Sequence, residues 1–167
     1  MTSGQLEPAG GQPDAAALAR LWDDLADAVV IADANGTIVF WNHAAQRLFG
    51  WPSGEAVGKT LDLIIPERLR DRHWAGYERV METGRTSYGD RLLEVPAIHR
   101  DGRTLSVAFT VTLLANADGS VAHIVALLRD ETVRWNERRE LLATLRSYRE
   151  LAAAGSRVSS GGAPMPG

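Results

Sequence analysis

The spacing of apolar residues changes period several times along the chain, and each change marks an element. In "DAAALARLWDDLADA", Leu18, Leu21, Trp22 and Leu25 follow helical spacing behind Asp14, a residue type that caps helix N-termini. "AVVIAD" is a short continuous apolar run and reads as a buried strand. "DANG" follows, with Asn35-Gly36 supplying the positive φ of a hairpin turn, and "TIVFW" is the returning strand. "NHAAQRLFG" is a short helix closed by Gly50. "WPSGEAVGKTLDLII" reads as loop with short helical pieces, and Pro66 opens a further helix where its missing N–H costs nothing.

After "ETGRTSYG" the period becomes two. In "RTLSVAFTVTLL", Leu105, Val107, Phe109, Val111 and Leu113 alternate with Thr104, Ser106, Ala108, Thr110 and Thr112. That is a strand with one apolar face and one small, hydroxylated face. The turns "IHRDGR" and "NADGS" flank it. "DRLLEVPAI" is therefore the preceding strand, with Pro96 pointing to an edge or a bulge, and "VAHIVALLRD" is the last strand. "ETVRWNERRELLATLRSYRELAAA" is one long helix.

The order is helix, two strands, a helical middle, three strands and a helix, which is an α+β arrangement. The last three strands can form a meander, and the first hairpin must join the same antiparallel sheet, with the helical middle over one face. The boundaries read as a disordered N-terminus at 1–13, a flanking helix at 14–27, a core at 28–131, a C-terminal helix at 132–154 and a disordered tail at 155–167. The ends are rich in Gly, Pro, Gln and Ser and carry no apolar period.

Composition removes several classes of function. The 167 residues suit one domain, and 45% of them are hydrophobic, enough for a real core. A net charge of −3 with no run of like charges argues against a nucleic-acid-binding surface. There are no cysteines, which excludes disulfides, thiolate metal sites, cysteine nucleophiles and photochemistry through a cysteine adduct. The N-terminus has neither the basic nor the apolar region of a signal peptide, and no apolar run is long enough to span a membrane. A cytoplasmic location is the expectation.

Within "PERLRDRHWAGYERV", Leu69, Tyr77 and Val80 share one side of a helix, and His73 falls on that side. An imidazole in an inward stripe is either a satisfied core polar group or a ligand. The other histidines are weaker candidates. His43 starts the first short helix and reads as exposed, and His99 stands beside the "RDG" turn and reads as solvated. His123 points away from the cavity if Ile124, Ala126 and Leu128 face it. The five tryptophans are scattered and read as packing groups. Asp23-Asp24 and Glu137/Glu140 are solvated helix faces, and no nucleophile, carboxylate pair or phosphate loop survives inspection. The chain is not expected to be an enzyme.

From Leu21 to Leu142 the sequence resembles the PAS sensor family. The resemblance rests on "VVIADANGTIVFWNHAAQRLFGW", "AVGKTLDLIIP", "HRDGRTLSV" and "RDET", in that order and at that spacing. It implies a five-stranded antiparallel sheet with a helical face enclosing a ligand cavity, flanked by signalling helices.

Within that family, the His73 helix resembles that of the haem-binding PAS domains of rhizobial oxygen-sensing histidine kinases. "IPERLRDRH" is similar to their approach to the iron ligand, and the spacing from His73 to Asp101 matches without a gap. The resemblance implies haem b held by His73 as the iron ligand, with Arg79 on a propionate. A neutral imidazole is a good iron ligand, and a proximal histidine leaves the sixth position for a gas. Gly76, beside His73 on the helix, would give a flat macrocycle room, and Tyr77 completes that face. Leu93, Phe109 and Val111 would line the opposite side. Those kinases carry an arginine on the following strand where this chain has Leu93. Arg91, two residues earlier, would also point inward by alternation. Oxygen, carbon monoxide, nitric oxide and iron redox state are all open as the signal. A haem-free dimerisation or metabolite-binding PAS module and a flavin-binding redox PAS are the alternatives.

In the last helix, Leu141, Leu145 and Tyr148 recur at heptad-like spacing with Leu142 beside them, which suits a short coiled coil. A homodimer through the flanking helices is expected, and the small Thr/Ser/Ala face of the long strand would accept such a helix. The signal would pass to a downstream protein, with no membrane or nucleic-acid partner.

Overall fold

The computed structural model describes residues 13–86 and 91–159, with side chains described to Leu151. Five helices, α1 (Ala15–Asp24), α2 (His43–Phe49), α3 (Ser53–Ala56), α4 (Arg70–Thr83) and α5 (Thr132–Ser159), accompany five strands, β1 (Ala28–Asp33), β2 (Ile38–Trp41), β3 (Leu93–Ile98), β4 (Thr104–Ala115) and β5 (Val121–Asp130). The strands form one antiparallel sheet in the order β2-β1-β5-β4-β3. The expected α+β fold, the hairpin and the meander are all present. The chain divides after Asp130 into this sheet unit and the helical unit of α5.

Register fixes which side chains share a face, because residues directly opposite in a ladder point the same way. Leu93, Phe109 and Leu128 lie in line across β3, β4 and β5, and Leu128 continues to Ala28 of β1. Val111, Ala126 and Val30 form the next row, and Leu113, Ile124 and Ala32 the row after it. Together with Val95, Ala97, Leu105 and Val107 these make the apolar body of one face, the inner face, with Asp130 opposite Val107 at its margin. Ser106, Thr110, Thr112 and His123 are on the other side, as alternation predicts.

The core closes one half of the inner face. Ala28, Leu128, Val107, Leu105 and Ala97 pack there with Phe49 and Ala45 of α2, Ala56 of α3 and Ile64. Trp41 lies 5.3 Å from Phe49 and donates its indole N–H to the Trp51 carbonyl at 3.0 Å. Pro96 is in β3, an edge strand, where a missing N–H is tolerated.

Asn42 joins three elements at the closed end. It is fully buried. Its Oδ1 accepts from Ala45 N, capping α2, and from Val29 N, both at 2.9 Å. Its Nδ2 donates to the carbonyls of Trp22 and Asp27 at 3.1 and 3.0 Å, tying down the exit from α1. A buried amide is tolerable because all four of these contacts are made.

Three boundaries differ from expectation. A 3-10 turn at Glu67–Leu69 stands between Pro66 and α4, so the His73 helix starts at Arg70. β3 begins at Leu93, after Arg91. α5 runs to Ser159, past the boundary expected at 154. The disordered segments read from sequence at 1–13 and 155–167 lie mostly outside the described residues.

Candidate functional site

The second half of the inner face is not closed like the first. Leu93, Phe109, Val111, Leu113, Ile124 and Ala126 are all half-buried. Leu113 and Ile124 lie toward the end of the sheet where β1 stops and β5 starts, whereas Leu93 and Phe109 share the row of Leu128 and Ala28, and Phe109 and Ala126 pack against the core. The Tyr77 hydroxyl donates to the Asp33 carbonyl at 2.6 Å, and Gly84 approaches Val121. Tyr77 and Val80 of α4 are buried, and Tyr77 ties the helix to the end of β1.

Local chemistry fixes the N-terminal half of α4. Arg70 donates from Nη2 to the Asp62 carbonyl at 3.1 Å and from Nε to the Ile65 carbonyl at 3.2 Å. The Asp62 carboxylate accepts the Trp74 indole N–H at 2.9 Å. Trp74 also lies against the β1–β2 turn. A Cβ on Gly36 would overlap the Trp74 indole ring, and Gly36 has φ +75°, so only glycine serves there. The turn is held by Asp33 Oδ1, which accepts from Asn35 N and Thr37 N at 2.9 Å.

These anchors set the position of His73, on the same stripe of α4 as Arg70, Trp74 and Tyr77. Its ring meets Trp74 edge-on at 5.1 Å and lies 5.8 Å from Tyr77. Nδ1 is shut off from solvent and has no hydrogen-bond partner. A buried polar atom left unpaired costs about 1–3 kcal/mol, so the position is not that of a satisfied core histidine. Burial pulls the His73 pKa below its usual value, against a smaller opposing pull from the Asp62 carboxylate. The imidazole is therefore neutral near pH 7, the form that ligates a metal. Burial likewise pushes the Tyr77 phenol up to about 12, so its hydroxyl keeps its proton and its bond to Asp33.

The other expected site residues fall in distinct places. Gly76 is half-buried, and a Cβ there would meet open space. Arg79 is exposed and makes no ion pair among the described residues. Leu93 and Phe109 are directly opposite each other, and Val111 follows on the same face. Arg91 departs from its expected place: it precedes the strand and is exposed, so strand alternation does not turn it inward. His99 also differs. Its side chain is only 14% exposed, pairs with Asp101 at 2.9 Å and sits over Gly50, where a Cβ would meet the ring. His43 is exposed near Asp23, as read.

The sequence alone did not single out Trp74 or Asp62 as anchors of the site. Trp74 carried a signal, because it follows His73 on the helix. The partners that give Trp74 its role, Asp62 and Gly36, are distant in sequence.

The chain belongs to the PAS fold family, which matches residues 16–130. It is 35% identical to an uncharacterised protein of Azorhizobium caulinodans over 75% of this chain and 17% of that one. It is 28% identical to the sensor protein FixL of Bradyrhizobium diazoefficiens over 80% of this chain and 27% of FixL. It is 27% identical to the oxygen sensor protein DosP of Escherichia coli over 66% of this chain and 14% of DosP. The chain thus spans about a quarter or less of these relatives. Among solved structures, the PAS domain of a Colwellia psychrerythraea protein superimposes with a TM-score of 0.61 at 20% identity, over 69% of this chain and 94% of that one. That likeness speaks to the fold. No described helix is long and apolar enough to cross a membrane.

Proposed function

We propose that this PAS sensor domain binds haem b through His73 and reports a diatomic gas or the redox state of the iron. The observation that carries this reading is the half-buried, neutral imidazole of His73, whose Nδ1 is shut off from solvent without a hydrogen-bond partner. The residues fit the group: a neutral nitrogen ligand, open space at Gly76 on the same helix, and large aliphatic and aromatic side chains for the macrocycle. The likeness to FixL and to the oxygen sensor DosP supports the same reading.

When bound, haem would supply an iron able to take a diatomic ligand or to change its oxidation state. The chain's own residues do the rest. His73 would hold the iron, and Arg79, exposed at the rim, would meet a propionate. Leu93, Phe109 and Val111 would exclude water from the opposite side. Tyr77 and Trp74 fix the helix that carries His73, so displacement of that helix is felt at Asp33, Gly36 and Asp62. Two conformations of this unit with different ligand affinities would convert binding into a signal.

The module itself would be non-catalytic and cytoplasmic. It would work as a homodimer through its flanking helices and pass the signal to a downstream protein. The test is an absorption spectrum of the purified protein from haem-replete cells. A Soret band that disappears in His73→Ala supports the reading. A colourless protein overturns it in favour of a haem-free module, and a flavin spectrum in favour of a redox PAS.

A further inference from the structure

α5 carries two different stripes. Leu141, Leu145 and Tyr148 make the apolar one. The second consists of Trp135, Arg139, Leu142, Arg146 and Arg149, which follow one another at alternating steps of four and three residues. At about 3.6 residues per turn these fall within an arc of about 80°, centred about 110° round the helix from the apolar stripe. A contact that hides the Leu141 stripe therefore leaves this one open to a second partner.

The members of the second stripe are open to solvent. Trp135 and Leu142 are 43% and 49% exposed, and the three arginines are exposed as well. Arg139 lies over the Trp135 ring at 5.3 Å, and Trp135, Arg138, Arg139, Leu142, Ala143 and Arg146 line one shallow hollow along the helix. Among the described residues, Arg139, Arg146 and Arg149 make no ion pair. Glu137 and Glu140 are on the far side of the helix, and Glu150 stands at the margin, four residues after Arg146. A helix that needs only solubility gains by interleaving the two signs. This one gathers three cations on one arc, and Arg146 and Arg149, three residues apart, are like charges on neighbouring turns, which disfavours an isolated helix.

The residue types say what would cover such a stripe. An arginine fork meets a carboxylate through two parallel N–H···O bonds, and Trp and Arg are enriched at the centres of protein contacts. Leu142 stands between Arg139 and Arg146, so apolar anchors alternate with carboxylate-binding positions at helical spacing. We infer that this stripe is the docking face for an acidic amphipathic helix of a partner protein. Its carboxylates would meet Arg139, Arg146 and Arg149, and its aliphatic side chains would pack on Trp135 and Leu142. An anionic lipid surface fits less well, because three large apolar groups lie on the other stripe and Glu137, one turn from Leu141, would face the headgroups with them. The inference deepens the reading of a module that passes its signal to a downstream protein, and it rests on that part of the reading and not on haem.

The experiment uses the full chain and two labelled synthetic helices, one with leucines along one face flanked by glutamates, the other its lysine counterpart. Fluorescence anisotropy in about 0.15 M salt should show the glutamate helix binding at micromolar concentration and the lysine helix not binding. Arg139→Glu combined with Arg146→Glu should weaken binding about tenfold or more, and so should Trp135→Ala combined with Leu142→Ala, while Glu140→Gln leaves it within about twofold. The lysine helix should gain binding to the charge-reversed variant, a result that loss of folding does not give. Circular dichroism checks that each variant keeps its helix.

A helical wild type that does not bind the glutamate helix overturns the inference. So does binding that Trp135→Ala with Leu142→Ala leaves unchanged, which is charge attraction alone. Binding that is lost in Leu145→Glu and unmoved by the arginine reversal places the contact on the apolar stripe and overturns it too. Tighter, equally arginine-dependent binding to vesicles of phosphatidylglycerol overturns it in favour of a membrane. A colourless protein that binds the glutamate helix overturns the haem reading alone. A His73-dependent Soret band in a protein that does not bind the glutamate helix overturns this inference alone.

Discussion

Arg129 grips the carboxylate of Asp27 from two nitrogens, Nε to Oδ1 at 2.9 Å and Nη2 to Oδ2 at 2.6 Å, across 102 residues of sequence. Asp27 is the residue before β1, and Arg129 stands at the end of β5, just before α5 in the chain. The pair thus joins the segment leaving α1 to the strand leading into α5. The hydrogen bond from Arg129 holds the Asp27 carboxyl below its ordinary pKa of 3.8.

The pH dependence follows from that direction. The unfolded chain takes up a proton at Asp27 before the folded one does, so this contribution is present above pH 3.8 and is lost as pH falls through the lower folded value. Arg129 is 66% exposed, so solvent screening limits the pair to about 1 kcal/mol or less. Urea unfolding of Arg129→Met should show that small loss at pH 7. The gap to wild type should narrow below pH 3.8 and in high salt. A gap that is flat with pH would mean that Arg129 acts through packing and not through Asp27.

Tyr77→Phe tests the link between the His73 helix and the first hairpin. The variant removes the 2.6 Å bond to the Asp33 carbonyl and should cost about 1 kcal/mol. It has an alkaline signature as well. Burial raises the phenol to about 12, so the folded state keeps a proton that the unfolded state releases near pH 10. Wild-type stability should therefore fall as pH rises from 10 toward 12, and that limb should flatten in Tyr77→Phe. Ultraviolet titration should show one late-ionising tyrosine that the variant lacks.

Much of this was legible in the sequence because it is periodic or local. The two-residue alternation of Leu105 to Leu113 gave β4 and its faces. Asp14 and Gly50 announced helix ends. The i+4 relations of His73 to Leu69 and Tyr77 placed the imidazole on the inward stripe. What could not be read was what the side chains meet across long sequence gaps. The partners of Asn42 come from α1 and β1, and no local pattern names them. The alternation that put Arg91 inward assumed a strand extending to Asp90, yet pairing begins at Leu93 opposite Phe109, and a side chain outside the ladder has no assigned face. His99 read as solvated because it flanks a turn, but the same turn folds it over Gly50, whose missing side chain leaves it room.

Gly36→Ala should damage the site from a distance. The alanine would have to adopt φ +75°, which costs about 1 kcal/mol or more, and its methyl would overlap the Trp74 ring. Trp74 would be displaced from Asp62 and the His73 helix loosened. The expected outcome is a red-shifted tryptophan emission that is absent when Trp74→Phe is combined with Gly36→Ala, together with weaker haem retention. Unchanged emission would show that Trp74 does not report on the turn.

Asn42→Ala and Asn42→Asp separate the two jobs of that amide. Alanine strands the N–H groups of Val29 and Ala45 and the carbonyls of Trp22 and Asp27, and should cost about 3 kcal/mol. Aspartate keeps both acceptor contacts but turns a negative oxygen toward the two carbonyls. Hydrogen exchange should then show α2 protected as in wild type and α1 opening more often. Equal loss of protection in both helices would mean the amide is one indivisible unit.

The last prediction concerns α5. Leu141, Leu145 and Tyr148 are 61%, 46% and 68% exposed in a single chain, a heptad-like stripe without cover. Charged residues surround it, and Arg139 rests over Trp135 at 5.3 Å. Association through a parallel coiled coil would bury the stripe, and a charge at its centre would oppose this because two copies would face each other across the seam. Leu145→Glu should therefore shift the protein from dimer to monomer in sedimentation velocity while leaving the sheet unit folded by far-ultraviolet circular dichroism. Leu145→Ile should remain dimeric. A wild type that sediments as a monomer at micromolar concentration would exclude α5 as the dimer contact and turn attention to the exposed Leu18, Leu21 and Trp22 of α1.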